Sequence, residues 1–225
     1  MNLPTHHPGD ALLMDYASGG LGEGPALVVA SHMTLCPGCR CAVSELEALG
    51  GALLDDIEPD ALSPDCLDRL MARLDEEGDA PPPPVRRTAA AGAAAAPGRG
   101  EPLLPEPLRS YVGGCVESLR WRPLLPGIRA AEVPLTVGSA QLIRIAGGVA
   151  VPQHSHDGME LAMVLQGGFS DRYGHYLRGD VAVGDDTVDH RPVADREGCL
   201  CLSVTMGALR LTGPVGRFLN PFLRL

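Results

Sequence analysis

The sequence predicts a two-domain protein, with a small all-α domain first and an all-β domain of the small-barrel or jelly-roll class second. The N-terminal third has apolar residues at helical spacing, and the C-terminal half contains short β-rich runs bounded by glycine. Between them, residues 78–107 consist largely of proline, alanine and glycine, a composition that buries too little apolar surface to fold by itself. We therefore expect domains at 1–77 and 108–225, joined by a linker at 78–107.

The N-terminal domain should contain three or four short helices. The first is expected at 10–19, the second begins at Pro25, and helical spacing resumes after Cys39. The last helix is expected at 63–77, with Ser63 as its cap and leucines along one face. A domain of this size has a thin core and commonly needs a metal or another cross-link.

One cross-link is suggested by SHMTLCPGCR, which contains the zinc-type ligands His32, Cys36 and Cys39. On a continuous helix these side chains would share one face, because positions three and four apart are neighbours. Thiolates and imidazoles in a tetrahedral arrangement favour Zn²⁺. A fourth ligand must come from elsewhere, and His7 is the preferred candidate, with His6 as the alternative.

The cysteine pair in CPGC also has the spacing of a CxxC redox motif. That motif normally follows a strand in a βαβ unit, which this region lacks. A structural zinc site is therefore the better interpretation. Cys41 and Cys66 are interpreted as ordinary buried thiols.

The C-terminal domain should be built from short strands such as ELAMVLQGGFS, GDVAVG and CLCLSVT. Strand alternation places Cys199, Cys201, Ser203 and Thr205 on one face. Buried, inert thiols are the ordinary interpretation of the two cysteines. The alternative is that they line the barrel and that oxidation of either one disturbs its packing or a nearby metal.

A second group of metal ligands lies in VPQHSHDGME. His154 and His156 share a strand face, Glu160 can return to the same cavity after a turn, and His190 provides a third imidazole. Three nitrogens and one carboxylate oxygen can hold zinc, manganese, iron or nickel with room for water or a small ligand. His175 is expected on a solvated hairpin instead.

The spacing from Gly148 to Gly167 resembles the first motif of the cupin superfamily, whose members are small β-barrels. The second motif matches in spacing, but Asp185 stands where proline is usual, Thr187 replaces glycine and Ala194 replaces asparagine. These departures leave the metal ligands in place and weaken the case for a standard cupin enzyme.

The composition excludes some functions. A net charge of −10 disfavours direct binding to DNA or RNA and suits a basic protein partner. No apolar run approaches the roughly 18 residues of a membrane helix, and no signal-peptide pattern is present, so we expect no membrane partner and a cytoplasmic protein. In that compartment the seven cysteines should be reduced.

The combination of HHPGDALLMDYASG, SHMTLCPGCR and HSHDGMELAMVLQGGFSDRYGHYLRGDV resembles the ChrR-type zinc-dependent anti-sigma factors. The resemblance implies a zinc domain that binds a group IV (ECF) sigma factor, and a cupin needed for its release under singlet oxygen or related oxidative stress. It implies structural zinc at His7, His32, Cys36 and Cys39. It implies a second metal, also zinc, at His154, His156, Glu160 and His190.

Sequestration of a sigma factor requires no catalytic residue, and we expect none. The acidic polar face of the last helix, 63–77, could meet a basic sigma factor surface. Alternatively, the helix has a simple core stripe and a solvated polar face. The alternative function is a metal-dependent cupin enzyme, a dioxygenase or isomerase, with the zinc domain as an accessory. The intact N-terminal ligand set and the incomplete second cupin motif favour the regulator.

Overall fold

The computed structural model describes residues 3–77 and 103–213. Within these ranges the helices are α1 Asp10–Ala17, α2 Glu23–Leu35, α3 Pro37–Asp55, α4 Cys66–Glu77 and α5 Glu106–Val112. The strands are β1 Arg122–Leu125, β2 Ile128–Val133, β3 Ser139–Ile145, β4 His154–His156, β5 Met159–Ser170, β6 His175–Leu177, β7 Val181–Gly184, β8 Val193–Met206 and β9 Leu209–Leu211. The predicted order of an all-α region followed by an all-β region is confirmed.

Helices α2 and α3 are separated by a sharp bend at Cys36. Cys36 has an extended backbone (φ −111°, ψ 100°), because the ring of Pro37 disfavours helical geometry in the residue before it. The two helix axes differ in direction by 120°. No single helix in the described parts of the chain is long and apolar enough to span a membrane, and this bent pair reaches the required length and composition only together.

The last helix of the N-terminal region begins later than predicted. Helix α4 starts at Cys66. The backbone carbonyl of Ser63 accepts a hydrogen bond from Cys66 N–H at 2.9 Å, and its hydroxyl accepts one from the Arg69 side chain at 3.0 Å rather than from a helix N–H. The prediction of Ser63 as the helix cap is therefore wrong. A tight turn occupies the two residues before Cys66.

The β-region is an antiparallel sheet of seven strands, with the order β1-β2-β3-β8-β5-β6 and with β7 paired to β5. Strands β4 and β9 form a second, two-stranded sheet. The long strands β5 and β8 pair along most of their length, with register shifts near Val164 and Gly167. Such irregularities bend a strand and help a sheet to curve around an interior. Strand β4 of the second sheet carries His154 and His156.

Helix α2 is buried on two sides. Val28 belongs to a core shared with residues of the two sheets, together called the barrel below, such as Leu202 of β8. The adjacent Val29 instead packs with Leu13 of α1 and Val43 of α3. Both valines have no exposed surface, and full burial of a valine contributes about 1.5–3 kcal/mol. The helical and β-regions therefore pack against each other through α2.

The end of the predicted linker belongs to the folded structure. Leu104 and Leu108 are buried in the same core as Val28, and α5 begins at Glu106. The remainder of the predicted linker, up to residue 102, lies outside the described residues.

Candidate metal centres

The first predicted ligand set lies in one compact group. The ligand atoms of His7, His32, Cys36 and Cys39 all lie within 4.8 Å of one another. His7 Nδ1 is 3.4 Å from His32 Nε2, 3.5 Å from Cys36 Sγ and 3.4 Å from Cys39 Sγ. Ligands in a tetrahedral zinc site are separated by about 3.3–3.8 Å, given ordinary Zn–N and Zn–S lengths. The three distances from His7 Nδ1 therefore match those of a tetrahedral Zn²⁺ site.

The bend between α2 and α3 brings these ligands together. His32 lies in the last turn of α2, Cys36 at the bend and Cys39 in the first turn of α3. The expectation that one continuous helix presents all three is wrong, because Pro37 ends the first helix and begins the second. His7 approaches from the segment before α1.

His6 lies elsewhere, against the barrel. Its ring contacts that of Tyr176, with centroids 4.5 Å apart, and its Nδ1 is 3.3 Å from a carboxylate oxygen of Asp180. Of the two candidate histidines, the structure thus brings His7 to the cysteines.

The first ligand group is oriented by a residue of the β-region. His32 Nδ1–H donates to the carbonyl oxygen of Gly179 at 2.7 Å, which leaves Nε2 free to coordinate a metal. Burial lowers the pKa of His32, so its neutral form predominates. Burial, together with a hydrogen bond to Cys36, raises the pKa of Cys39 to about 12. A thiolate there needs a cation beside it, and zinc would supply that charge.

The second predicted ligand set also converges. His154 and His156 lie on β4, Glu160 lies near the start of β5, and His190 precedes β8. His190 Nε2 is 3.0 Å from His154 Nε2 and 3.5 Å from His156 Nε2, and His156 Nε2 is 3.3 Å from Glu160 Oε2. The backbones of His154 and His190 exchange two hydrogen bonds of 3.0 Å, which fixes the distance between these two ligands.

Neighbouring groups hold the imidazoles in a ligating orientation. His154 Nδ1–H donates to the carbonyl of Pro152 at 2.7 Å, and His190 Nδ1–H donates to Asp171 at 2.8 Å. In both residues Nε2 therefore points into the cluster. Burial lowers the pKa of His154 and of His156, which favours the neutral, metal-binding form. Ser203 Oγ–H donates to Glu160 at 2.8 Å.

The comparisons with known proteins agree with this architecture. A family model described as the ChrR cupin-like domain matches residues 112–209. The anti-sigma-E factor ChrR of Cereibacter sphaeroides is 41% identical over 224 residues, covering 98% of each chain. The chain belongs to the ChrR family of anti-sigma factors. The resemblance inferred from the sequence motifs is thereby confirmed.

A solved structure of Rhodobacter sphaeroides SigE in complex with the anti-sigma factor ChrR is also similar. It matches with a TM-score of 0.74 and 39% sequence identity, and covers 89% of this chain and 98% of the matched chain. Both the helical and the β-part of the fold are therefore shared with a member of the ChrR family.

Two of the three departures in the second cupin motif, Asp185 and Thr187, form a turn of their own. The Asp185 carboxylate accepts hydrogen bonds from Thr187 N–H at 2.9 Å and from Thr187 Oγ–H at 2.6 Å. An aspartate side chain that accepts from the residue two positions on restricts the backbone of a turn. The loop that leads to His190 is thus held by side-chain hydrogen bonds.

The remaining cysteines and His175 differ in environment. Cys199 and Cys201 are buried with sulfurs 3.2 Å apart, and the hydrogen bond between them together with burial raises the pKa of Cys201. His175 is exposed and pairs with Asp195. Cys41 is exposed and Cys66 is half-buried, so the prediction that both are buried thiols is wrong.

Sequence reasoning missed three residues that position the ligands. Asp171 orients His190, Gly179 orients His32, and Asp180 holds the chain next to His7. All three occur in the stretch DRYGHYLRGD, where the Asp and Gly content indicates turns and nothing more. Their partners are 19, 147 and 174 positions away in the chain.

Proposed function

We propose that this chain is an anti-sigma factor that binds a group IV (ECF) sigma factor in the cytoplasm and keeps it from RNA polymerase. The observation that carries the proposal is the nearly full-length similarity to the anti-sigma-E factor ChrR. The structure resembling this chain was solved as a complex with SigE, which supports a sigma factor as the partner.

The surface of α3 and α4 suits such a partner. Large apolar side chains are exposed on the second half of α3, on the following loop and on α4: Leu49, Leu53, Leu54, Ile57, Leu62, Leu67, Leu70, Met71 and Leu74. Exposed apolar surface of this extent marks a protein-binding site more often than a free surface. The four apolar residues of α4 follow helical spacing and form one stripe, the pattern with which a helix binds a groove.

Charge also favours a sigma factor surface that is basic around an apolar groove. The helix α4 sequence CLDRLMARLDEE has more acidic than basic residues, and the whole chain has a net charge of −10. Complementary charge accelerates the encounter between partners and disfavours wrong ones.

Zinc at the first cluster would fix the orientation of the apolar surface on α3 and α4. Its four ligands join the segment before α1, the end of α2 and the start of α3. Coordination would thereby hold the bend from which α3 projects. We infer that metal loss frees α3 and weakens the sigma factor complex.

The second cluster would hold another metal, for which we propose zinc, with manganese, iron and nickel also compatible with the ligand set. We propose that the barrel is needed for release of the sigma factor under singlet oxygen or related oxidative stress. Strand β7 offers a physical connection. It starts beside Gly179, which contacts His32, and ends at Gly184, where an added Cβ would lie 3.3 Å from the His156 ring.

The test uses the full chain, co-expressed with the sigma factor encoded nearest to it. Leu70→Asp places a charge on the apolar stripe of α4 and should abolish co-purification. Ala72→Asp places the same charge on the opposite face and should leave it intact. Loss of binding in both variants, or in neither, would contradict the proposed surface.

Metal analysis of the same purified chain tests the two sites. Two zinc equivalents per chain support the proposed anti-sigma function. One zinc and one iron would instead favour oxygen chemistry in the barrel and the enzyme alternative.

A further inference from the structure

The barrel contains a cavity that neither metal assignment explains. Its volume is about 650 Å³, within the range of sites that enclose small organic molecules. His154, Glu160 and His190 line one part of its wall. A metal held by these residues would therefore face the cavity.

Most of the remaining wall is apolar. Residues from several strands contribute, including Ile128, Ile143, Ile145, Phe169, Leu209 and Leu211. Among the described residues that line the cavity, none is lysine or arginine. A sugar or a polyanion would find few partners for its polar groups on such a wall. A ligand with an apolar body and one polar group fits better.

The charge near the metal cluster indicates the nature of that polar group. Three neutral imidazoles and one carboxylate around a divalent cation leave one positive charge uncompensated. The cation would have to supply the positive charge for a bound anion, because no lysine or arginine side chain lines the cavity in the described residues. Ser203 already donates its proton to Glu160. The Tyr173 hydroxyl accepts a hydrogen bond from Arg172 at 2.7 Å, and Tyr173 also lines the cavity.

We propose that the barrel binds an apolar monocarboxylic acid, with the carboxylate on the metal and the hydrocarbon body against the apolar wall. This inference rests on the proposed metal at the second cluster. It adds a ligand site to that cluster, through which a small molecule can act on the barrel.

The proposal is tested by isothermal titration calorimetry of the full, zinc-loaded chain with decanoate. The comparison ligand is 1-decanol, which has a hydrocarbon chain of the same length and no charge. Decanoate should bind once per chain, at least ten-fold more tightly than 1-decanol. Ile143→Trp fills the cavity without replacing a metal ligand and should weaken decanoate binding at least ten-fold. Val137→Trp adds the same ring at an exposed site outside the cavity and should have no effect.

Ala182→Leu is a milder filling of the same cavity and serves if Ile143→Trp does not fold. Metal content is measured in every sample. A chain with two metal equivalents that does not bind decanoate refutes the ligand and leaves the proposed function intact. A chain with a single metal equivalent contradicts the second metal site itself, and the ligand proposal fails with it. Equal binding of decanoate and 1-decanol would also overturn the assigned head group.

Discussion

Replacement of Asp180 should loosen the first ligand group and weaken its proposed zinc binding, although Asp180 is not one of the four ligand residues. Its side chain is buried, and the residue immediately precedes β7. It accepts hydrogen bonds from the backbone N–H groups of Thr5 at 2.6 Å and of His6 at 2.9 Å. Val181 N–H donates to the carbonyl of His6 at 3.1 Å. These contacts fix the segment from which His7 reaches the cluster.

The size of the effect follows from the bonds that Asp180→Ala removes. A hydrogen bond to a charged group contributes about 1.5–3 kcal/mol, and two of them cross from Asp180 to the N-terminal segment. The released N–H groups can bond to water, because this segment lies at the surface. We therefore expect a net loss of about 2–3 kcal/mol, which corresponds to zinc affinity weaker by about 30- to 150-fold.

The same contact should depend on pH in a defined direction. Burial raises the pKa of Asp180, but hydrogen bonds from Leu177, His6 and Thr5 outweigh it and lower the pKa below the ordinary value of 3.8. A lowered pKa in the folded state means that the contact stabilises above pH 3.8 and that this stabilisation is lost as the pH falls.

The assay is a competition titration of zinc against a colorimetric chelator, with His190→Ala as the background so that only the first cluster is loaded. Asp186→Ala, an exposed carboxylate in the loop after β7, is the matched control. Unchanged zinc affinity in a folded Asp180→Ala chain would refute the reasoning, because it would show that His7 is positioned without this anchor.

Three further predictions concern single side chains. Cys39→Ser should remove one zinc equivalent and abolish sigma factor binding, whereas the exposed Cys41→Ser should retain both, as measured by metal analysis and co-purification. His156→Ala should remove the second metal and leave sigma factor binding intact, because the proposed binding surface on α3 and α4 contains no residue of the barrel. Glu23→Gln should speed hydrogen exchange in the β2–β3 loop, whose amides donate to the Glu23 carboxylate at 2.7 and 3.1 Å. Those hydrogen bonds lower the pKa of Glu23 from 4.5, so the contact should persist above that pH and weaken below it.

Each of these has a result that contradicts it. Full zinc content in Cys39→Ser would remove Cys39 from the ligand set. Loss of sigma factor binding in a folded His156→Ala chain would show that the barrel metal supports the binding surface directly. Unchanged exchange in Glu23→Gln would mean that the neutral amide holds the loop as well as the carboxylate does.

The amino-acid sequence alone was sufficient to predict the composition of both ligand groups and the order of the two regions. Histidine, cysteine and glutamate in short, regular spacings are informative because metal coordination demands particular donor atoms within a few ångströms. Helical spacing before residue 78 and strand alternation after residue 120 were equally local signals. Both depend on neighbours in the chain, and so they can be detected without a three-dimensional structure.

Tertiary structure decided how these groups are held. The bend at Cys36 replaces the expected continuous helix, and His7 rather than His6 reaches the cysteines because Asp180 fixes the segment beside it. Valines 28 and 29 are both buried because α2 lies between the barrel and the other helices, a position that its sequence does not indicate. Contacts between residues more than a hundred positions apart depend on how the whole chain packs, and packing is what local spacing does not encode.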